Sequence, residues 1–318
     1  MTPSAKSEDT HERLANALDA LPHGFARTAS RVEVELIMTQ RDATRRWLVA
    51  GLVAVLCLAS ARGASAQSPG ANPTPKVAAD QATALAKQQQ NPIASLISVP
   101  LQANWDFGLG DRDATGTLFN FQPVMPFGIT RSTNVVLRVI MPLTSQPGSG
   151  DARVNGLGDV VTTAFFSPAK PGRLIWGVGP VFLLPTATNN ALGSEKFGIG
   201  PSLVVLTQPG RWTIGLLANQ VWSTSGASDR EDVNSTFVQP FVNYNLGGGL
   251  ALGAVFEATA NWKAEEHWTA PLLFTVGKVA RLGKRPVNFV IGAGPALASP
   301  EGGPTWRFRF MAVLLFPR

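Results

Sequence analysis

The segment 97–107, ISVPLQANWDF, alternates apolar and polar side chains along its length. Successive side chains of a β-strand point to opposite faces of the sheet. The segment therefore predicts a strand in which Gln102, Asn104 and Asp106 share a polar face. The opposite face is apolar and carries Ile97, Val99, Leu101, Ala103, Trp105 and Phe107.

The same alternation recurs to the end of the chain in stretches of about 12 residues. Short turns at 169–172, 209–210 and 246–248 separate some stretches, whereas others are separated by longer polar loops at 144–154, 186–195 and 224–232. Short turns at one end and long loops at the other are typical of an outer-membrane β-barrel, and a soluble β-sandwich has no reason to sort its loops in this way.

We therefore predict an all-β fold, a transmembrane antiparallel β-barrel of about 12 strands with short periplasmic turns and longer outer loops. The expected strands lie near 94–108, 115–128, 131–143, 156–167, 173–185, 196–208, 211–223, 233–245, 249–262, 267–281, 286–298 and 304–317.

The chain before the barrel divides into three segments. Arg45 and Arg46 precede a short apolar run that ends in small residues at 64–66, which is the pattern of a secretory signal peptide. We assign 38–66 to that signal, with Sec-type export to the outer membrane of a Gram-negative bacterium. Residues 1–37 then represent a translation start placed too early, or an extension. Residues 67–93 are a flexible lead-in with a short helix at 78–90, and the barrel occupies 94–318.

Composition excludes several classes of protein. No apolar run approaches the roughly 20 residues of a membrane-spanning helix. The pI near 9.9 comes from scattered basic residues, so we expect attraction to an anionic lipid surface or a charged lumen, and no nucleic-acid partner. The single cysteine, Cys57, lies inside the predicted signal. The exported part should therefore have neither a disulfide nor a thiolate metal site, and we expect no cofactor.

Charged residues on the predicted strands should face the lumen. A charge that faces lipid at the middle of the membrane costs roughly 2–4 kcal/mol. The candidate lumen-lining residues are Asp106, Arg138, Asp159, Glu257, Arg307 and Arg309. In the last strand, apolar residues such as Val313 and Leu315 are expected on the same inner face.

Tryptophans near the predicted strand ends, among them Trp212 and Trp306, suggest aromatic girdles. Three Gly-x-Gly-Pro runs, at 177–180, 198–201 and 292–295, lack the strand-turn-helix context of a phosphate-binding loop. We interpret their glycines as points of close approach or bending. In-strand prolines remove hydrogen-bond donors, so we expect bulges or broken pairing near Pro123, Pro126, Pro240 and Pro271.

Enzymatic chemistry finds little support in the residues. His267 is the one histidine after the predicted signal, and it is the ordinary base available to a hydroxyl nucleophile. An acidic loop with Asp229, Glu231 and Asp232 around Arg230 could hold calcium or bridge lipopolysaccharide, although a solvated loop explains it as well. We expect no enzyme activity.

Several motifs resemble a known family over 91–318. The chain is similar to the bacterial outer-membrane β-barrel family associated with the meta-cleavage pathway of phenol degradation, whose members are often labelled transporter or, misleadingly, neuromedin U. The resemblance implies transport of small organic compounds, including aromatic ones, and implies no residue-level mechanism. The motifs that carry it are at 91–100, 104–105, 121–126, 156–159, 177–188, 232–234, 237–241, 302–304 and 314–317.

Three hypotheses follow. The first is a passive channel for small organic solutes, with mixed lumen charges that give weak ion selectivity. The second is a structural or adhesive barrel whose lumen is closed by large side chains or by 78–90. The third is an enzyme at the membrane surface. Expected partners are outer-membrane lipid, lipopolysaccharide, the barrel-assembly machinery and a small organic solute.

Overall fold

The computed structural model describes residues 74–148, 152–283 and 285–317. The predictions for 1–37 and 38–66, and for the first residues of the lead-in, lie outside this part of the chain. Helix α1 spans Pro75–Gln89, and a short 3-10 helix spans Asn190–Leu192. The strands are β1 (Ile97–Leu109), β2 (Ala114–Phe121), β3 (Val124–Gly128), β4 (Thr133–Pro147), β5 (Arg153–Leu157), β6 (Val160–Pro168), β7 (Leu174–Leu184), β8 (Lys196–Thr207), β9 (Trp212–Gly226), β10 (Asn234–Gly247), β11 (Leu250–Phe256), β12 (Ala258–Asn261), β13 (Trp268–Thr269), β14 (Leu272–Leu282), β15 (Arg285–Pro295) and β16 (Trp306–Phe316).

The sixteen strands form twelve passes, because four passes are each interrupted once. The interrupted passes are β2/β3, β5/β6, β11/β12 and β13/β14. Pro123 and Pro271 lie at two of the interruptions, where the missing N–H removes a ladder hydrogen bond. Pro126, for which the sequence also predicted broken pairing, keeps its register within β3. Pro240 keeps its register with β9 but lies opposite the break between β11 and β12, where pairing is interrupted as the sequence predicted.

The sheet closes on itself. The last strand pairs with the first from Ile97↔Phe316 to Phe107↔Trp306, and every neighbouring pass pairs antiparallel around the ring. Closure leaves no sheet edge with unpaired backbone groups, which is what a strand structure needs in order to span lipid. The predicted antiparallel barrel of twelve strands is therefore confirmed.

The connections between passes are sorted by length. The end of the barrel that holds the start of β1 and the end of β16 also holds the turns 129–132, 169–173, 208–211 and 248–249 and the connection between Leu282 and Arg285. We call this the short-turn end. The opposite end, which we call the long-loop end, holds the longest connections, 185–195 and 296–305. Parts of the predicted loops 144–154 and 224–232 are paired strand instead, since β4 pairs with β5 as far as Pro147↔Arg153 and β9 continues to Gly226.

The outer surface of the barrel is apolar. Large apolar side chains at alternate positions point outward and stay exposed, for example Phe166, Leu203, Phe274 and Ile291. Such an inside-out pattern suits a lipid environment, where apolar exposure carries no hydrophobic cost. Among the described residues, no helix is long and apolar enough to cross a bilayer.

Exposed tryptophans mark both ends of the outer surface. Trp176 and Trp212 lie near the short-turn end, where Trp212 packs on Tyr244 with ring centroids 4.7 Å apart. Trp222, Trp262 and Trp306 lie near the long-loop end and are each more than two-fifths exposed. Two belts of aromatic side chains at the strand ends agree with the girdles expected at the two interfaces of a membrane.

The three Gly-x-Gly-Pro runs form the same local structure. In each run the second glycine, Gly179, Gly200 or Gly294, faces a neighbouring strand whose carbonyl oxygen would lie 1.8 Å from an added Cβ. The proline that follows has no N–H to offer that carbonyl, so the oxygen turns towards the glycine instead. These glycines are therefore required by close backbone approach, as the sequence indicated.

Candidate functional site

An ion-pair cluster lies on the inner face of the barrel. The Asp106 carboxylate accepts two hydrogen bonds from Arg307, at 2.6 and 2.9 Å. Glu257 accepts two from Arg309, at 2.7 and 2.6 Å, and a longer one of 3.4 Å from Arg307. Glu257 belongs to the ninth pass and the arginines to the twelfth, so the cluster joins passes that are not neighbours in the sheet. We call these four residues the charged layer.

Neutral amides complete the charged layer. Gln239 donates to Glu257 at 2.8 Å, and Asn104, which is 1 % exposed, accepts from Nε of Arg309 at 2.7 Å. Arginine forks that meet carboxylates in this way are strong and geometrically fixed. The charges are nearly water-free and fully hydrogen-bonded, so the layer should be rigid.

The other two predicted lumen residues have different surroundings. Arg138 lies on the inner face of β4 and donates to Oε1 of Gln122 at 2.9 Å. Asp159 does not join the charged layer. Its carboxylate accepts hydrogen bonds from the backbone N–H and hydroxyl of Ser194, both at 2.7 Å, and from the N–H of Ala187. It lies where the register shifts between β5 and β6, and it anchors the 185–195 loop.

The chain that precedes β1 occupies the short-turn end of the lumen. Lys87 of α1 donates to the carbonyls of Gln208 and Gly210 at 2.9 and 2.8 Å. The Gln90 side chain bonds to Asn245 and Thr213. The predicted helix at 78–90 therefore exists as α1 and lies across this mouth of the barrel.

An apolar seal lies just inside that mouth. Ile93, which is 6 % exposed, packs against inward-facing side chains of the wall, namely Val124, Val136, Phe165, Val204, Leu206 and Leu217. Ala94 and Leu96 pack against Val313 and Leu315, with Leu85 of α1 at the edge. We call the contact of Ile93, Ala94 and Leu96 with the wall the apolar seal. It places hydrocarbon against the inner wall at this level.

A chamber of about 220 Å³ lies between the charged layer and the N-terminal segment. Its polar side includes Arg138, Gln122, Gln102 and Arg309. Its apolar side includes Phe241, Val255, Val290, Met311 and Leu96. An engineered cavity of about 150 Å³ is large enough to bind benzene, so this chamber has room for a small organic molecule.

The candidates for catalysis and metal binding are tied into loops. Nδ1 of His267 lies 3.1 Å from the carbonyl oxygen of Asn261, and its ring packs on Trp262. No serine or threonine hydroxyl bonds to it in the described part of the chain. Within the same residues, no cluster of three or more His, Cys, Asp or Glu side chains could hold a metal ion.

The acidic loop is held by ion pairs. Asp232 accepts a hydrogen bond from Nζ of Lys196 at 3.0 Å and one from the Ser223 hydroxyl at 3.2 Å. The hydrogen bond from Lys196 is the main cause of a lowered pKa of the Asp232 carboxyl. Arg230 donates to the carbonyls of Asn190 and Gly193. These contacts tie the 227–233 loop to the 185–195 loop.

Comparison with known proteins supports the barrel fold of this chain. No protein-family model matches the chain, and no curated protein matches it. The chain is similar to the COG4313 outer membrane channel from Pseudomonas putida F1, with a TM-score of 0.54 and 16 % identity over 70 % of this chain and 94 % of that one. The outer membrane phospholipase A of Escherichia coli gives a TM-score of 0.39 at 10 % identity, covering 69 % and 92 % of the two chains. The outer membrane channel DcaP of Acinetobacter baumannii gives 0.32 at 11 %, covering 70 % and 96 %.

Sequence reasoning missed two features of the lumen. The neutral partners Gln122 and Gln239 carry no charge, so the rule that strand charges face inward did not select them. Alternation in 97–107 had put Asn104 on the polar face with Asp106. The apolar seal was also missed, because Ile93 and Leu96 occur in a short stretch without strand or helix periodicity. The signal that could have found it is the inward apolar face of the last strand, Val313 and Leu315, which needs a covering partner.

Proposed function

We propose that this protein is a passive outer-membrane channel for small organic solutes, closed at rest by its own N-terminal segment. The observation that carries the proposal is a chamber of about 220 Å³ inside a closed barrel whose outer face is apolar. A wall without edges, with aromatic belts at both ends, fits a bilayer. The apolar side of the chamber, with Phe241 and Met311, suits an aromatic or aliphatic body.

The partners expected from the sequence belong to the same proposal. The apolar outer face would contact lipid, and the loops of the long-loop end would contact lipopolysaccharide. The barrel-assembly machinery would insert the chain. The resemblance to a family linked with phenol degradation supports aromatic compounds as solutes.

A second candidate, a structural barrel with a closed lumen, is favoured by two observations. The charged layer links the ninth and twelfth passes inside the barrel through Glu257, and the apolar seal and α1 occupy part of the lumen at the short-turn end. Both candidates require the same fold, so only transport separates them. An enzyme is the third candidate, and it would need a nucleophile that acts with His267.

Conductance and flux measurements test the proposal. Residues 67–318 would be refolded, checked for heat-modifiable mobility on a gel, and inserted into planar bilayers, with phenol and benzoate flux measured in liposomes. A channel predicts discrete conductance steps and solute flux above protein-free liposomes. A folded barrel that shows neither would favour the structural candidate. Loss of a lipid-hydrolysing activity in His267→Ala would be required to support the enzyme.

A further inference from the structure

The charges inside the barrel do not balance. Among the described residues around the charged layer and the chamber, the inner wall holds three arginines, Arg138, Arg307 and Arg309, but two carboxylates, Asp106 and Glu257. Arg307 and Arg309 use both carboxylates, with fork contacts of 2.6–2.9 Å. The cation left over is Arg138.

The hydrogen-bond partner of Arg138 is neutral, and the charge of Glu257 acts on it from beyond ion-pair distance. One N–H of its guanidinium reaches Oε1 of Gln122 at 2.9 Å, and no carboxylate of the described residues lies within ion-pair distance of it. A guanidinium has five N–H donors in a planar fork that matches a carboxylate. A cation removed from bulk water without an anion beside it is unfavourable, so an anionic ligand would be favoured at this position.

The chamber next to Arg138 has the shape and the chemistry for the rest of such a ligand. Both Arg138 and Gln122 line it, and the wall away from them includes Phe241, Val290 and Met311. A volume of about 220 Å³ has room for one small ring. The lining also holds Arg309 and the amides of Asn243 and Asn288. Charged and polar groups set among apolar side chains orient a ligand by its own charged end.

We propose that the chamber is a binding site for a small organic monocarboxylate of about the size of benzoate. The carboxylate lies against the guanidinium of Arg138 and the amide of Gln122, and the apolar body lies against Phe241 and Met311. The inference rests on the proposed channel function in one respect, namely that the ligand is the transported solute. The binding site itself does not depend on transport.

Binding of two aromatic compounds of similar size, one anionic and one neutral, tests the site. Calorimetric titrations with benzoate and with neutral benzyl alcohol would use residues 67–318 refolded in lipid nanodiscs. Benzoate is expected to bind at least about tenfold more tightly, because hydrogen bonds to a charged group contribute that much. Arg138→Gln should weaken benzoate binding by about the same factor and leave benzyl alcohol unchanged. Arg138→Lys, which keeps the charge but loses the fork, should lie between the two.

Arg131→Gln is the matched control, since Arg131 lies in the exposed turn 129–132 and its loss removes the same unit of charge. It should bind benzoate as the unchanged protein does. Equal affinities for benzoate and benzyl alcohol in the unchanged protein would overturn the proposal, whether or not Arg138→Gln refolds. Equal losses in Arg138→Gln and Arg131→Gln would also overturn it, since they would reflect net charge alone.

Flux separates this site from the channel function. Conductance without preferential benzoate binding would support the proposed channel function and contradict the proposed carboxylate site. Preferential benzoate binding that depends on Arg138, without flux, would keep the site and remove the transport role.

Discussion

The charged layer and the apolar seal occupy the same inner face of the same barrel, yet different interactions hold them in place. In the charged layer, Glu257 accepts from Arg309 and Arg307, and every contact is directional. In the apolar seal, Ile93 contacts hydrocarbon on several strands and no contact is directional. A directional cluster built into the wall should stay fixed, whereas a segment held by apolar packing and a few hydrogen bonds can leave as a unit. We infer that the seal, and not the layer, determines whether the lumen opens.

The charged layer should give the larger stability effect when it is broken. Glu257→Gln removes the carboxylate shared by Arg307 and Arg309. Both buried guanidinium groups then lose the negative charge that Glu257 supplies. Removing one partner of a buried ion pair costs about 3–5 kcal/mol. Urea unfolding of the refolded barrel, followed by tryptophan fluorescence, measures this loss. Asp229→Asn, which removes an exposed carboxylate of the acidic loop, is the control and should change the midpoint little.

A substitution in the wall of the apolar seal should give the second-largest loss of stability. Leu206, which is 1 % exposed, contributes to the seal, whereas Leu203 on the same strand points outward and is 40 % exposed. Leu206→Ala leaves a cavity that should cost about 2–4 kcal/mol. Leu203→Ala should cost much less, because lipid chains fill the space. Equal costs in the same unfolding assay would mean that the side chains facing the lumen are not packed by the N-terminal segment.

The smallest effect concerns pH and lies outside both regions. The pKa of Asp232 is lowered by Lys196, so its contribution is present above its unfolded-state pKa and is lost as pH falls through the lowered folded value. The ion pair between Asp232 and Lys196 should therefore persist as the pH falls to about 3.9, the ordinary pKa of an aspartate, and should be lost only at lower pH. Hydrogen exchange at Val233, whose N–H donates to Ser223, reports on this link.

In Asp232→Asn this exchange should lose its acid dependence, apart from the intrinsic change in exchange rate. An acid transition retained in the variant would assign the effect to another group. A transition in the unchanged protein above pH of about 3.9 would contradict the direction of the pKa shift.

The difference between the two regions also explains what the sequence could predict. Alternation in 97–107 and in the last strand predicted the barrel, its twelve strands and the inner position of charges such as Arg307, because strand geometry has a period of two. It could not predict which charges would meet, since Glu257 and Arg309 are 52 positions apart. It also placed Asp159 with the others, although a register shift puts it against the 185–195 loop. The seal depends on where a short irregular segment docks, and no local pattern encodes that.

The most direct test is single-channel conductance of Ile93→Asp beside the unchanged protein. A carboxylate among Phe165, Val204 and Leu217 cannot be solvated there, so the N-terminal segment should leave the lumen. Val77→Asp, on the exposed side of α1, is the control. The conductance of Ile93→Asp is expected to be about threefold or more above that of the unchanged protein and of Val77→Asp, since the charged layer alone then narrows the pore. Equal conductance in all three refolded proteins would contradict it and would show that the N-terminal segment does not close the channel.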